Sequence, residues 1–411
     1  MPTSLDKGKI KVLLLESIHP SAIAAFRADG YTNVDVHAGS PPEQELLSRI
    51  RGAHILGIRS RTRVSDRVLA AADRLIAIGC FSIGTDGVDL AAAEGHGIPV
   101  FNAPFSNTRS VAELVLAEII LLCRGVIERN AAAHRGQWLK SVGGATEVRG
   151  KVLGIVGYGH IGTQVGVLAE ALGMQVVYHD TQTKLALGNA QRAASLDALL
   201  ERSDVVTLHV PETPQTLGMI GEAQLARMRR GAKLINASRG SVVDIEALAR
   251  SLDSGHLAGA ALDVFPAEPG SEAEEFVSPL RRFDNVVLTP HIGGSTAEAQ
   301  QNIGLEVAAK LVKYSDNGST VGALNFPEVA LPEHAGRHRL LHVHRNEPGM
   351  LARVNSILSD AGINIASQYL ETDRRVGYAV IDIDGADRPV SQAVRKKLDA
   401  VDGTIRTRIL Y

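Results

Sequence analysis

The sequence predicts an α/β protein with two doubly wound parallel sheets and a small C-terminal βαββαβ unit. Apolar, β-branched strand segments alternate with helical patterns through most of the 411 residues. Such alternation implies parallel pairing through right-handed crossovers. The 40 glycines suit the many turns that this architecture needs. After residue 337 the order changes to strand, helix, strand, strand, helix, strand, which is typical of a separate α+β domain.

The composition excludes several classes of function. The chain is 45% hydrophobic with a net charge of −2, so it has no basic excess with which to bind nucleic acid. Any bound anion is therefore expected to be small and held locally. The N-terminal run KIKVLLLES is too short to span a membrane. Cys80 and Cys123 lie in apolar stretches, which predicts two buried thiols and a cytoplasmic protein.

The first hundred residues contain a regular series of strands. The segments are KVLLLE, NVDVH, HILGIR, RLIAIGC and IPVFNAP, and helical segments separate them. From about residue 106, the spacing of apolar residues in TRSVAELVLAEIILLCRGVIERNAAAHRG predicts one long helix.

A second strand series follows and sets the domain boundaries. Its segments are KVLGIV, MQVVYHD, VVTLHV, KLINAS, GAALDV and NVVLTP. Another amphipathic helix covers residues 295–314, and the polar, Pro- and Gly-rich segment after it indicates a linker. We therefore expect a discontinuous first domain of residues 1–105 and 295–330, a second of 106–294 and a third of 337–411.

A glycine-rich turn opens the second series. Gly157, Gly159 and Gly162 follow the strand KVLGIV and precede a helix, and Asp180 ends the next strand. This context predicts a Rossmann dinucleotide site, with the pyrophosphate at the helix N-terminus and Asp180 on the ribose hydroxyls. A carboxylate there repels a 2′-phosphate, which favours NAD over NADP. The alternative is a glycine-rich turn in an unrelated α/β protein.

Three residues at the ends of later strands form a catalytic constellation. They are Arg239 in NASRGSVVD, Glu268 in DVFPAEP and His291 in TPHIGGS. Oxidation of a 2-hydroxy acid needs a base for the hydroxyl proton, a carboxylate to orient that base, and a cation for the substrate carboxylate. Each residue alone could be an ordinary surface or structural residue. Their joint occurrence after a nucleotide fingerprint favours catalysis.

The motifs GYGHIG, INASRGSVVD, AALDVFPAEP and LTPHIGGST together resemble the D-isomer-specific 2-hydroxyacid dehydrogenase family. The resemblance implies a flavodoxin-like substrate-binding domain, an NAD-binding domain, Arg239, Glu268 and His291 as catalytic residues, and no metal. It also implies NAD contacts from Gly157, Gly159, His160, Ile161, Gly162, Asp180, Ala237, Ser238, Arg239, Asp263, His291, Ile292, Gly293 and Gly294. The tail resembles an ACT domain.

Within the family, the ACT tail implies a particular reaction. The chain is similar to members that oxidise 3-phosphoglycerate with NAD, the first step of L-serine biosynthesis, and that assemble as homotetramers. Reduction of 2-oxoglutarate to 2-hydroxyglutarate is left open as a side activity. The resemblance places Trp138 in a neighbouring subunit and Lys140 at the neighbour's active site.

The segment HILGIRSRTRV carries arginines at alternate positions. In an extended strand, Arg59, Arg61 and Arg63 would share one face, where like charges need solvent or an anion. The resemblance matches Arg59 and Arg61 to contacts with the substrate phosphate and Asn107 to a further substrate contact. Arg63 has no counterpart and is expected to be solvated.

The tail supplies a predicted effector site. His344, Asn346 and Asn364 match the positions at which related enzymes bind L-serine as an inhibitor, between the ACT domains of two subunits. Imidazole and amide groups can hydrogen-bond both ends of a small amino acid. The alternative is that they are solvated polar loop residues.

Two other functions stay open at this point. One is a different D-2-hydroxyacid dehydrogenase, acting on lactate, glyoxylate or formate, which the ACT tail and the arginines disfavour. The other is a non-catalytic NAD-sensing protein that keeps the dehydrogenase fold, which the Arg239, Glu268 and His291 trio disfavours. NADH formation with 3-phosphoglycerate distinguishes an enzyme from a sensor.

Overall fold

The computed structural model describes residues 6–141, 143–270, 273–332, 338–384 and 388–410. The chain divides into two compact units. The first comprises Met1–Ser106 with Gln300–Tyr411, and the second comprises Asn107–Ala299. None of the helices in the described ranges is long and apolar enough to cross a membrane.

The N-terminal part of the first unit is a parallel five-stranded sheet in the order β2-β1-β3-β4-β5. This is the flavodoxin-like strand order. The strands are β1 (Val12–Leu14), β2 (Val34–Val36), β3 (Ile55–Ile58), β4 (Ala77–Cys80) and β5 (Val100–Phe101). The helices are α1 (Pro20–Ala28), α2 (Glu43–Arg49), α3 (Asp66–Ala71) and α4 (Leu90–Gly95). Every residue of β1, β3 and β4 is buried, as expected for parallel strands that are covered on both faces.

The second unit opens with two helices where the sequence predicted one. Helix α5 is Thr108–Arg124 and α6 is Val126–His134. Gly125 between them has φ = +57°, and its N–H donates to the carbonyls of Leu121 and Leu122. This is a left-handed helix cap, so the prediction of an unbroken helix was wrong. Apolar periodicity continues across the break, and only the glycine signals it.

The second unit is built around a parallel seven-stranded sheet in the order β12-β11-β10-β9-β6-β7-β8. The strands are β6 (Val152–Val156), β7 (Gln175–His179), β8 (Gln191–Arg192), β9 (Val205–Leu208), β10 (Lys233–Asn236), β11 (Gly259–Leu262) and β12 (Val286–Leu288). The helices are α7 (His160–Ala171), α8 (Leu196–Arg202), α9 (Glu222–Arg227) and α10 (Ile245–Asp253). All six predicted strands are present, and β8 is an additional short edge strand. Strand order reverses between β6 and β9, which is where nucleotides bind in such sheets.

The chain then continues through α11 (Ala297–Asn317) into the C-terminal sheet. That sheet is antiparallel, with the order β14-β15-β13-β16. Its elements are β13 (His338–Arg345), α12 (Met350–Asp360), β14 (Asn364–Thr372), β15 (Val376–Asp384), α13 (Arg388–Asp399) and β16 (Thr404–Leu410). The βαββαβ order confirms the predicted fold class.

Within the first unit, the C-terminal sheet and the N-terminal sheet share a hydrophobic core. Leu341, Tyr378 and Val380 belong to the same buried cluster as Val307 and Leu311 of α11. Sequence alone indicated a polar linker after α11, but the described part of this segment, up to residue 332, is packed, with Phe326, Val329 and Leu331 in the same buried cluster. Its polar groups bond internally, because the Thr320 hydroxyl donates to the Pro327 carbonyl at 2.7 Å.

A buried ion pair lies within the C-terminal sheet, and its arginine also bonds to the end of α11. Nε and Nη2 of Arg339 donate to the two carboxylate oxygens of Asp382 at 2.6 and 2.8 Å. Arg339 Nη1 also donates to the carbonyl of Asn317 at the end of α11. Only 1% of the Arg339 side chain is exposed, so these bonds replace its hydration.

Candidate active site

In the predicted nucleotide turn, other backbone atoms lie so close to two positions that only glycine fits there. Gly157 has φ = +90°, and a Cβ there would lie 2.3 Å from the carbonyl oxygen of His209. A Cβ at Gly162 would lie 2.2 Å from the carbonyl oxygen of Gly157. Helix α7 begins at His160 directly after Gly159, so its first N–H groups point at the turn. The turn therefore fits a dinucleotide pyrophosphate.

Asp180 follows β7 and is held by two backbone donors. Its Oδ2 accepts from Tyr158 N–H and its Oδ1 from Gln182 N–H, both at 2.8 Å. Each carboxylate oxygen keeps a lone pair for a ribose hydroxyl. The structure also brings Arg192 to this point, because its Nη2 donates to the Asp180 carbonyl at 3.3 Å. That cation comes from β8, which the sequence did not predict.

The histidine and glutamate of the constellation form a direct pair. Nδ1 of His291 lies 3.0 Å from Oε2 of Glu268, and Oε1 of Glu268 accepts from Phe265 N–H at 3.2 Å. The hydrogen bond that His291 donates to Glu268 raises the pKa of His291 above its usual value, against the opposing effect of burial. Burial alone would raise the pKa of Glu268, but His291, the Phe265 N–H and Arg239 together lower it. The carboxylate therefore stays ionised beside the imidazole.

Arg239 lies near this pair on the loop after β10. Its charge lowers the pKa of both Glu268 and His291. The loop is shaped by Asn236, whose Nδ2 donates to the Arg239 carbonyl at 3.0 Å. Gly240 permits close packing, because a Cβ there would lie 2.0 Å from the carbonyl carbon of Phe265. The structure thus brings all three predicted catalytic residues together.

The loop that carries His291 is anchored by Asp263, which is 2% exposed. Its Oδ1 accepts from the Thr289 hydroxyl at 2.6 Å and from Ile292 N–H at 2.8 Å. Its Oδ2 accepts from Gly293 N–H at 2.8 Å. His291 itself has φ = +55°, a left-handed conformation that these bonds sustain. Asp263 therefore holds the catalytic loop, a role that the sequence did not indicate.

Other predicted contacts of the second unit lie around the same loops. Asn107 directly precedes α5, makes no side-chain capping bond, and packs against Gly294, where a Cβ would lie 2.4 Å from Asn107 Nδ2. Asn107 Oδ1 is buried and accepts no hydrogen bond among the described residues. The remaining predicted NAD contacts follow β10 or begin α7: Ala237, Ser238, His160 and Ile161.

Two buried titratable groups of the second unit were missed by the sequence reasoning. Glu118 lies on α5, 1% exposed, and neither carboxylate oxygen has a hydrogen-bond partner in the described part of the chain. Burial, with a smaller contribution from the charge of Asp263, raises its pKa to about 8. Burial lowers the pKa of His209, after β9, to about 3. A charged residue within the apolar run VLAEIILL was the available signal for Glu118.

The segment with Arg59, Arg61 and Arg63 lies in the first unit, and β3 ends before it at Ile58. Residues 59–63 form a loop, so the expectation that three arginines alternate along a strand was wrong. Arg59 is half-buried, and Arg61 and Arg63 are exposed. Arg63 Nη1 donates to the carbonyl of Asp86 at 2.5 Å, so this exposed residue also braces the loop.

The extension after α6 exposes an aromatic side chain. Trp138 is 86% exposed and Leu139 is 53% exposed. Lys140 is exposed beside them, and its N–H donates to the Trp138 carbonyl. Large apolar side chains in this state are typical of a surface that another protein covers.

The predicted effector residues lie on the C-terminal sheet. His344 is 3% exposed, and its Nδ1 donates to the Arg345 carbonyl at 2.9 Å. Its buried Nε2 has no hydrogen-bond partner among the described residues. Asn346 Nδ2 donates to the Asp373 carbonyl at 2.6 Å, and Asn364 is exposed at the start of β14.

Two of these predicted effector residues, His344 and Asn364, lie far apart within one chain. His344 pairs with Gly377 at one end of β15, and Asn364 pairs with Asp384 at the other. The two ends are about 23 Å apart at the rise of an extended strand. A single sheet therefore cannot place His344 and Asn364 on one small ligand.

The described residues contain no group of three or more side chains that could bind a metal ion.

Comparison with known proteins agrees with this geometry. Residues 116–293 match the D-isomer specific 2-hydroxyacid dehydrogenase, NAD binding domain, and residues 340–406 match an AHAS small subunit-like ACT domain. The chain is 59% identical over 408 residues to D-3-phosphoglycerate dehydrogenase of Escherichia coli (strain K12), with 99% of each chain covered. It is 48% identical over 409 residues to D-3-phosphoglycerate dehydrogenase of Dictyostelium discoideum, with 100% of this chain and 99% of that protein covered.

Solved structures show the same likeness for the dehydrogenase part. D-lactate dehydrogenase from Aquifex aeolicus, complexed with NAD and lactic acid, matches with a TM-score of 0.68 at 27% identity. The match covers 77% of this chain and 100% of that one.

Fold and site together define an NAD-dependent oxidoreductase of the D-isomer specific 2-hydroxyacid dehydrogenase class. The ACT domain and the sequence identity over the full length of the relatives identify one family within that class. The chain belongs to the D-3-phosphoglycerate dehydrogenase family.

Proposed function

We propose that this enzyme oxidises 3-phospho-D-glycerate to 3-phosphohydroxypyruvate with NAD, the first step of L-serine biosynthesis. The observation that carries the proposal is the 3.0 Å contact between His291 Nδ1 and Glu268 Oε2, beside Arg239, in a sheet with a dinucleotide turn. The names of the full-length relatives supply the substrate. Two buried, unpaired thiols suit the reducing cytoplasm.

His291 serves as the base that accepts the substrate proton. Its Nδ1 faces Glu268, so Nε2 is the ring nitrogen that accepts the proton of the substrate C2 hydroxyl. When bound at the glycine turn, NAD would supply the acceptor for the hydride that leaves C2. The proton then resides on an imidazolium that the Glu268 carboxylate stabilises, and the C2–O bond becomes a carbonyl. Reduction of the 2-oxo acid uses the same proton in reverse.

Charged groups hold the two ends of the substrate in this proposal. Arg239 binds the carboxylate with its planar guanidinium, and Asn107 contacts the substrate nearby. Arg59 and Arg61 of the first unit bind the phosphate, whose two negative charges offset the repulsion between their guanidinium groups. The exposed Arg61 and the half-buried Arg59 are both available for that contact.

The ACT domain serves as an effector site for L-serine in this proposal. The separation of His344 from Asn364 supports a ligand held between two chains, with His344 and Asn346 from one and Asn364 from the other. The exposed Trp138 supports a further contact between subunits, through which Lys140 reaches the neighbouring active site. Two different interfaces on one chain are consistent with a tetramer.

A substrate comparison tests the proposal. NADH formation is measured with 3-phosphoglycerate, D-lactate and 2-hydroxyglutarate, with removal of the product and with or without L-serine. We expect 3-phosphoglycerate to give the highest kcat/KM and serine to lower its rate. Faster oxidation of D-lactate would indicate another 2-hydroxyacid dehydrogenase. NAD binding with no turnover of any 2-hydroxy acid would indicate a sensor protein.

A further inference from the structure

Glu16 is a buried acidic residue in the first unit that the proposed reaction does not use. It follows β1 after Leu15 and is 7% exposed. Glu16 and Ser17 have φ values of +61° and +50°, in the left-handed region that residues other than glycine rarely adopt. Such a conformation brings the side chain close to the backbone and is unfavourable, so other contacts must sustain it.

The carboxylate of Glu16 accepts hydrogen bonds from four consecutive backbone N–H groups. Oε1 accepts from Arg59 at 3.2 Å and from Thr62 at 2.9 Å. Oε2 accepts from Ser60 at 3.1 Å and from Arg61 at 2.9 Å. Each carboxylate oxygen thus accepts two hydrogen bonds. Hydrogen bonds to an ionised acceptor are stronger than those between neutral groups.

This arrangement explains why residues 59–62 do not continue β3. In an extended strand, successive N–H groups point in opposite directions and cannot reach one acceptor. Here four of them converge on Glu16, so the backbone curves around the carboxylate. Glu16 fills the inner side of this loop, on which Arg61 is exposed and Arg59 is half-buried.

Glu16 also supplies negative charge next to the two arginines. Arg59 Nη1 lies 3.5 Å from the Glu16 carbonyl oxygen. Burial lowers the pKa of Arg59, and the charge of Glu16 acts in the opposite direction. A fixed anion inside the loop thus reduces the repulsion between the guanidinium groups of Arg59 and Arg61 before any substrate binds. The loop can hold both cations in place without a ligand.

We propose that Glu16 is a positioning residue for phosphate recognition: its carboxylate holds the backbone of residues 59–62 in the curve that presents Arg59 and Arg61 to the substrate phosphate. This inference rests on the proposed function, which assigns the phosphate to those arginines. Glu16 touches neither substrate nor cofactor and acts only through the loop. Its effect therefore falls on substrate affinity.

Glu16→Gln tests the inference. The amide keeps the shape and one acceptor oxygen, but its NH₂ group faces two N–H donors. We expect KM for 3-phosphoglycerate to rise at least tenfold, kcat to change less than threefold, and the dissociation constant for NAD to stay within twofold. The matched control is Glu45→Gln, an exposed glutamate of the same unit that pairs with Arg49 and lies outside this loop. It should leave all three constants unchanged.

A double-mutant cycle separates positioning from general damage. If Glu16 acts through Arg61, then Glu16→Gln should raise KM much less in an Arg61→Ala background than in the wild type. Equal increases in both backgrounds would overturn the inference. If Glu16→Gln does not fold, the shorter Glu16→Asp provides the same comparison with an acceptor retained.

The same cycle distinguishes this inference from the proposed function. If Arg61→Ala alone leaves KM for 3-phosphoglycerate unchanged, the assignment of the phosphate to Arg61 fails. If Arg61→Ala raises KM but Glu16→Gln and Glu16→Asp do not, the phosphate assignment stands and only the role of Glu16 is overturned.

Discussion

His291 and Glu268 form a carboxylate–imidazole pair, with Nδ1 and Oε2 separated by 3.0 Å. The pair lies on two different loops, after β11 and after β12, and Asp263 holds the second loop through Ile292 and Gly293. Both partners have shifted pKa values in the direction that favours an imidazolium beside a carboxylate. This relationship yields a pH prediction.

Glu268→Gln should move the acid limb of the oxidation profile to lower pH. Oxidation needs neutral His291, so kcat/KM rises as pH passes the histidine pKa, which Glu268 holds above its usual value. Without the carboxylate, burial and Arg239 lower that pKa. The plateau should also fall roughly a hundredfold, because the imidazolium loses its partner. The check is kcat/KM against pH, with Glu275→Gln, an exposed glutamate paired with Arg281, as control. An unshifted limb would contradict the assignment.

Arg61→Ala should weaken 3-phosphoglycerate much more than an unphosphorylated substrate. Loss of a charge-assisted contact to phosphate costs about 1.5–3 kcal/mol, or roughly tenfold to a hundredfold in kcat/KM. D-glycerate lacks that contact, so its kcat/KM should change little. Steady-state kinetics with both substrates measure the ratio. Equal losses for the two substrates would show that Arg61 does not bind the phosphate.

The proposed effector site between two chains makes a prediction about mixed oligomers. His344→Ala and Asn364→Ala should each abolish serine inhibition when all subunits carry the change. In an oligomer assembled from both variants, one pairing of ACT domains brings intact His344 and Asn364 together. Part of the serine inhibition should therefore return on mixing, measured as the rate with saturating serine. If mixing restores nothing, the effector does not bridge His344 and Asn364 of different chains.

Because Glu118 is buried, we expect the protein to become less stable as the pH rises towards 8. The folded-state pKa of Glu118 is about 8, against a usual value of 4.5. The native protein therefore keeps a proton that the unfolded chain loses, and the free energy of unfolding falls by about 1.4 kcal/mol per pH unit between these values. Above pH 8 the loss is complete.

Glu118→Gln removes this titration without changing the side-chain shape. The Tm of the variant should exceed that of the wild type by an amount that grows from pH 5 to pH 8 and then levels off. Thermal unfolding across that range provides the measurement. Glu113→Gln, on the exposed side of the same helix, is the control and should show no such trend. A constant difference between Glu118→Gln and wild type would indicate that Glu118 is ionised when folded.

Replacing only one residue of the Arg339–Asp382 pair should destabilise the protein much more than replacing both. Asp382→Asn leaves a guanidinium buried without its counter-charge, which costs about 3–5 kcal/mol. Replacing both residues, as in Arg339→Met with Asp382→Leu, removes that penalty and should restore most of the stability. Denaturant unfolding of the wild type and of these two variants tests this. A double variant no more stable than Asp382→Asn would show that the apolar pair cannot fill the site.

Much of this architecture could be read from the chain itself. Short apolar, β-branched runs and helical repeats are local features, so the strands and the doubly wound class follow from them. The turn with Gly157 and Gly162 was predictable because only glycine allows that backbone approach. Arg239, Glu268 and His291 were predictable because parallel strands bring the residues after their carboxyl ends to one edge of a sheet.

What the sequence by itself determined was therefore the class, the nucleotide turn and the grouping of Arg239, Glu268 and His291. The tertiary structure alone decided that residues 59–62 curve around Glu16, that Glu118 is buried without a hydrogen-bond partner among the described residues, and that His344 lies far from Asn364. These features depend on groups that are distant in sequence or on the length of a whole sheet. Local residue patterns do not contain that information, because convergence of N–H groups on one carboxylate exists only after the strands have packed.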